Sequence, residues 1–267
     1  MLALLAFATP LHAEQFMASL TRADWKLDRS PIACRLKQSV PRLGEAVFEA
    51  LAGGDRSFAL KASASSLIEG PATMVAIAPP WNPTRTPVPL GDVTIAEGAQ
   101  ALRLEAAEAQ RLLDTLESGL VPQFSQPLQP GHSVVGLSPL NFRPAYRDYQ
   151  DCIRQMLPVS FEDIASTTLV FARERSELTP EAQQKIDAML RYVKADRSVT
   201  SLSVMAVSAD TPRRLDNLYL AKERAEQVQQ YLLSRGIAAA RISSDWRGER
   251  SGSGAPRSVT ISLRRAD

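Results

Sequence analysis

The sequence predicts an α+β protein in two parts: a β-rich first half, barrel or sandwich with one helix, and a second half built as an α/β sandwich. Two observations predict it. Between Glu14 and about Pro158, prolines and glycines recur every few residues among short, alternating apolar runs, which is how strands between turns read. After Pro158 the pattern changes to long helical periods separated by compact segments rich in β-branched residues. At 267 residues the chain is long enough for each part to bury its own core. The expected division is a leader over 1–13, a β-rich domain over 14–158 and an α/β domain over 159–267.

Met1 to Ala13, MLALLAFATPLHA, is an apolar run with a helix-breaking Pro10 and a small residue before the polar Glu14, the shape of a secretory leader. No other apolar run approaches the roughly 18 residues needed to span a bilayer. The expected location is therefore the periplasm, with no transmembrane segment in the mature chain. Two cysteines, Cys34 and Cys152, lie beyond the leader. In an exported chain an even count favours a disulfide over two separate buried thiols.

Within the first half, Ser57 to Ala62 and Thr73 to Ala78 alternate and read as strands. Leu104 to Leu116 is the one helical stretch, with Ala107, Leu112, Leu113 and Leu116 at helical spacing and Gly119 beyond its end. The Pro79-Pro80-Trp81-Asn82-Pro83 segment is a loop whose Trp81 either anchors a docking partner or plugs its own core.

In the second half, Thr167 to Phe171 reads as a strand. Thr179-Pro180-Glu181 then starts a helix with a capping hydroxyl, a proline at the first helical position and a carboxylate at the positive helix end. Ala182, Ile186, Met189, Leu190 and Val193 share one face of it. Val199 to Val207 is a second strand, Asn217 to Arg235 a second helix stopped by Gly236, and Arg257 to Leu263 a closing strand.

Several function classes are disfavoured. The 31 basic residues nearly balance 29 acidic ones and form no block that would track phosphates, so no nucleic-acid partner is expected. Beyond the leader the only histidine is His132, and no nucleophile elbow, zinc spacing, phosphate loop or dinucleotide turn is present. The expectation is a binding protein, not an enzyme, with no cofactor and no metal.

Residues 165 to 265 resemble the OmpA-like peptidoglycan-binding family. The resemblance rests on the Leu178-Thr179 helix entry, the strand leading to Asp210, the Asn217-x-x-Leu220-x-x-x-Arg224-Ala225 pattern, Gly236-Ile237 and Arg257-Ser258-Val259. It implies recognition of the diaminopimelate of the peptidoglycan stem peptide, with Asp210 taking the ammonium and Arg224 gripping the carboxylate with its planar fork. It also places Asn217 and Arg257 in the site. Without it, Asp210 reads as a turn residue before Pro212, Arg224 as a solvated helix position and Arg257 as a surface ion-pair partner.

Nearly the whole chain beyond the leader is similar to the MotY family of flagellar motor accessory proteins. The similarity lies in Cys34-Arg35-Leu36, Gly44 to Phe48, Pro79-Pro80-Trp81, Asp151-Cys152-Ile153 and Ser160 to Ala165. It implies that Cys34 and Cys152 are bridged, and that the β-rich half docks on the flagellar basal body while the second half anchors it or the stator proteins to peptidoglycan. The alternative is an OmpA-like anchor of another envelope complex, a secretion system or an outer-membrane tether.

Overall fold

The structure is a computed structural model describing residues 13–19, 23–63, 67–128, 131–250, 252 and 257–266; apart from Ala13, the expected leader lies outside them. The chain divides into two compact units, Met1–Met156 and Leu157–Asp267.

The first unit contains, in chain order, β1 (Ala13–Met17), β2 (Trp25–Ser30), β3 (Ala33–Val40), β4 (Gly44–Leu51), β5 (Arg56–Ala62), β6 (Gly70–Ile77), β7 (Val88–Ile95), β8 (Gln100–Leu104), α1 (Ala106–Glu117), β9 (Val121–Leu128), β10 (Gly131–Gly136) and α2 (Phe142–Gln155). Two open five-stranded sheets result, ordered β1-β10-β9-β6-β7 and β2-β3-β4-β5-β8, and neither closes into a barrel. The second is antiparallel throughout. Along β3, Cys34, Leu36, Gln38 and Val40 alternate inward, the period-2 pattern of a strand with one covered face. The two sheets share one apolar core, in which the Phe58 ring of β5 lies parallel to Phe124 of β9 with centroids 5.8 Å apart.

The helix α1 lies where the sequence placed one and buries Leu112, Leu113 and Leu116 as expected, with Ala109 on that face and Ala107 exposed. The helix α2 is one more than the sequence suggested. Pro139 and Pro144 read as breaks, yet Pro144 is the third residue of α2, where its missing N–H has no intrahelical partner to lose. The buried stripe of α2 is Phe142, Tyr146, Tyr149 and Cys152. Trp25 fastens that helix to the second sheet: its ring stands edge-on to Phe142 at 5.1 Å, and its Nε1 donates to the Ser138 carbonyl at 2.9 Å. Fully buried Gln38 bonds both the N–H and the carbonyl of Ser138, so the entry to α2 is fixed by a side-chain amide acting as a surrogate strand. Cys34 of β3 and Cys152 of α2 form a disulfide with their Cα atoms 6.1 Å apart, as the resemblance implied.

The second unit comprises α3 (Phe161–Ile164), β11 (Ser166–Val170), α4 (Pro180–Ala195), β12 (Val199–Ser208), α5 (Arg214–Ser234), a 3-10 turn (Ala239–Arg241), β13 (Ile242–Gly248) and β14 (Ser258–Arg265). Its sheet is ordered β11-β14-β12-β13, with β12 and β13 parallel across the α5 crossover and the other pairs antiparallel. Buried Leu202, Val204 and Ala206 of β12 and Val259 and Ile261 of β14 meet the stripes Ile186, Met189, Leu190 of α4 and Ala221, Ala225, Val228, Leu232 of α5. Thr179 caps α4 by accepting from the Ala182 N–H at 3.2 Å, with Pro180 beside it. α5 begins a turn earlier than its apolar periodicity, directly after Pro212-Arg213. Among the described residues no helix is long and apolar enough to cross a membrane.

The disulfide closes a loop with a sequence separation of 118, so removing it should destabilise the first unit by about 4–5 kcal/mol. Calorimetry of the Cys34→Ala/Cys152→Ala double variant should show the transition of that unit lowered by roughly 10–15 °C. An unchanged transition would mean that Trp25, Gln38 and the aromatic core hold α2 unaided.

Candidate functional site

The second unit buries an arginine completely. Arg224, on α5, has the largest side chain among the fully buried residues, and the side chain of its partner Asp210, two residues past β12, is equally inaccessible. The Arg224 Nη1 donates to Asp210 Oδ2 at 2.9 Å and Nη2 to Oδ1 at 3.3 Å, the forked geometry a carboxylate favours. The remaining contacts come from the loop after β11. Arg224 Nε donates to the Arg175 carbonyl at 2.7 Å and Nη2 to the Ala172 carbonyl at 2.9 Å, while the guanidinium lies 5.1 Å over the Phe171 ring. These bonds occupy all but one of the guanidinium N–H donors.

Asp210 is satisfied with the same completeness. Its Oδ1 accepts the Glu174 N–H at 2.8 Å and its Oδ2 the Ser208 hydroxyl at 2.7 Å, in addition to the two bonds from Arg224. Glu174 sits in the left-handed region at φ 53°, which turns its N–H toward the carboxylate. Burial alone raises the Asp210 pKa, but the bonds from Arg224, Glu174 N–H and Ser208 outweigh it and hold the carboxyl below its ordinary 3.8. The Ala172–Arg175 segment is thus a latch closed over the ion pair.

Asn217 lies one layer away. It is fully buried; its Oδ1 accepts from the Thr211 N–H at 2.9 Å, and its Nδ2 donates to the carbonyls of Thr211 at 2.7 Å and Glu249 at 2.6 Å. It therefore ties the Asp210 loop to the end of β13. Gly248 makes that approach possible, since a Cβ there would meet the Leu218 amide nitrogen at 2.3 Å. Arg257 is exposed; its carbonyl accepts the Phe171 N–H at 3.1 Å, and among the described residues its side chain does not bond to Asp210 or Arg224. Sequence reasoning did not assign roles to the backbone groups of Ala172, Glu174 and Arg175, which leave no side-chain signature. Ser208, directly before Ala209-Asp210, was the one legible sign of a hydroxyl beside the carboxylate.

In the first unit Trp81 is about half exposed, at 51%, in the loop between β6 and β7. It does not plug the core. It lines two recesses, a cleft of about 510 Å³ shared with Arg85 and Arg143, and an apolar hollow of about 440 Å³ shared with Met17, Pro80 and Val121.

Residues 16–158 match the model of the MotY N-terminal domain, more than half of the chain. The chain belongs to the MotY family. Residues 170–267 match the OmpA family, so the MotY-type half and the OmpA half together account for nearly all of the sequence. The chain is also 27% identical over 243 residues to the sodium-type flagellar protein MotY of Vibrio parahaemolyticus serotype O3:K6, covering 89% of this chain and 83% of that one. The OmpA-like domain of FopA1 from Francisella tularensis is 18% identical, covers 38% of this chain and 75% of its own, and has a TM-score of 0.33. Among the described residues no cluster of three or more His, Cys, Asp or Glu is placed to hold a metal ion.

Acid sensitivity follows from the ion pair of this MotY-family chain. Because Asp210 titrates lower when folded than the ordinary 3.8, its contribution to stability is complete above that value and drains away as pH falls through it toward the folded pKa. Asp196 behaves alike: burial works against it, but Ser198 and Arg265 prevail and lower its pKa. Unfolding of the second unit followed from pH 6 to about pH 2 should show stability falling below about pH 4 in the wild type and a shallower fall in Asp210→Asn. Parallel curves would remove Asp210 from the account.

Proposed function

We propose that the chain is an envelope component of the flagellar motor whose second unit binds peptidoglycan through the diaminopimelate of the stem peptide, and whose first unit docks on the basal body. Its place is the periplasm, and its task is to give the stator a fixed point against torque. The observation carrying the recognition half is the buried, forked Asp210–Arg224 pair.

Diaminopimelate offers an ammonium and a carboxylate on one carbon, both charged at neutral pH. The ammonium takes the Asp210 carboxylate and the carboxylate takes the Arg224 fork, so one internal ion pair is exchanged for two external ones and no charge is left uncompensated. This requires the Ala172–Arg175 latch to lift, because its carbonyls hold the Arg224 donors that a second fork needs. Opening the latch costs part of the binding energy. It also confines the site to ligands that replace both of its charges, since a lone cation or anion leaves the other buried charge unmatched. Asn217 keeps the Asp210 loop in place while the latch moves, and exposed Arg257 adds positive charge near the stem peptide.

Co-sedimentation with purified sacculi tests this. Wild type should pellet, and Arg224→Lys, which keeps the charge but loses the fork, should bind at least tenfold more weakly. Asp210→Asn should do the same and in addition lose about 3–5 kcal/mol of stability, read by circular dichroism on the same samples. A folded Arg224→Lys that pellets like wild type would overturn the assignment of the pair.

A further inference from the structure

The first unit carries a surface whose chemistry specifies a partner. The loop between β6 and β7 is ordered at its base by Asn82 N–H donating to the Pro79 carbonyl at 2.9 Å, with Thr84 Oγ1 bonding Asn82 Oδ1 at 2.9 Å. That turn holds Trp81 outward between the two recesses. Two exposed arginines line the larger one, each bonded to the C-terminal end of α1. Arg85 Nη1 donates to the Ser118 carbonyl at 3.2 Å and Arg143 Nε to the Glu117 carbonyl at 2.8 Å. Each bond uses one donor of a group that offers several.

The charge in that cleft is one-sided. Among the described residues no Asp or Glu side chain lines it and neither arginine forms an ion pair, and the first turn of α2, which begins at its rim, carries no acidic residue. Arginines that serve only to satisfy a helix end need no exposed indole and no apolar hollow beside them. An exposed tryptophan flanked by pre-positioned guanidiniums has the composition of a binding hot spot.

We propose that the Trp81 cleft receives an acidic segment of a partner protein. One apolar side chain enters the hollow formed with Met17, Pro80 and Val121, and a carboxylate one or two residues away bridges Arg85 and Arg143. The occupant is a protein segment, because the cleft pairs an apolar seat with a charged one at short range. This rests on the reading of the first unit as the docking half and adds to it the surface and the chemistry of the contact.

The test places a benzoylphenylalanine photo-cross-linker at Leu140, a residue that lines the cleft and whose side chain takes no part in the bonds that order the Trp81 loop, in the full-length chain added to basal bodies purified from cells lacking it. Irradiation should capture a segment with at least an Asp or Glu within a few residues of an apolar side chain. The yield should fall at least tenfold in Arg85→Glu/Arg143→Glu or Trp81→Ala, whose unfolding transitions should match the wild type, and it should fall as salt is raised. If the wild type does not sediment with basal bodies at all, the docking reading itself fails. If it sediments but the charge-reversed and Trp81 variants cross-link as well as it does, or the captured species is a neutral or basic segment, a glycan or a second copy of this chain, the docking reading survives and this surface is wrong.

Discussion

A guanidinium and a carboxylate, both inaccessible to solvent, hold together three segments of the second unit: the loop after β11, the loop after β12, and α5. Removing two such charges from water costs several kcal/mol for each ion, and their mutual attraction offsets that only when every remaining donor and acceptor is satisfied. Here the backbone provides the satisfaction, through two carbonyls to Arg224 and one N–H to Asp210. Well-packed apolar side chains of the same volume often stabilise a core as well as a buried ion pair does. In the proposed function such a pair has a use beyond stability, because the zwitterion of diaminopimelate has the complementary charges. In that proposal the interaction that closes the unit is the one the ligand opens.

The first unit uses a different logic. Its two open sheets and two helices share an apolar core rich in aromatic rings, and buried Gln38 and Trp25 fasten the entry of α2 by hydrogen bonds to Ser138. The disulfide between β3 and α2 adds a covalent tie at the same seam. In the proposed docking such a scaffold lets the loop between β6 and β7 hold an indole in solvent, because the entropy of ordering that loop is lost on folding and not on binding.

The elements most legible in the sequence were those with local signals. Thr179-Pro180 announced α4, Gly236 the end of α5, and the alternation of Arg257 to Leu263 the closing strand, because caps, prolines and period-2 patterns act within a few residues. The helix α2 escaped because the proline in its first turn is indistinguishable, in sequence, from one that ends a helix. The identities of Asp210 and Arg224 came from a family pattern, but their pairing did not: periodicity left Arg224 as readily on a solvated face, and only the folded loop after β11 buries it. That loop acts through peptide groups, which every sequence carries alike. Asn217 was placed in the site from the same pattern, whereas its surroundings show a side chain that braces the Asp210 loop from beneath.

The exchange of an internal ion pair for a ligand zwitterion is most directly tested by nuclear magnetic resonance of the arginine Nε–H and backbone N–H signals, titrated with a diaminopimelate-containing tripeptide. The account predicts that the Arg224 Nε–H and the Glu174 amide shift together and saturate at one ligand concentration, and that the same tripeptide with lysine, which lacks the second carboxylate, leaves both in place at that concentration. Binding that leaves these two signals unmoved, or a lysine peptide that moves them equally, would contradict it.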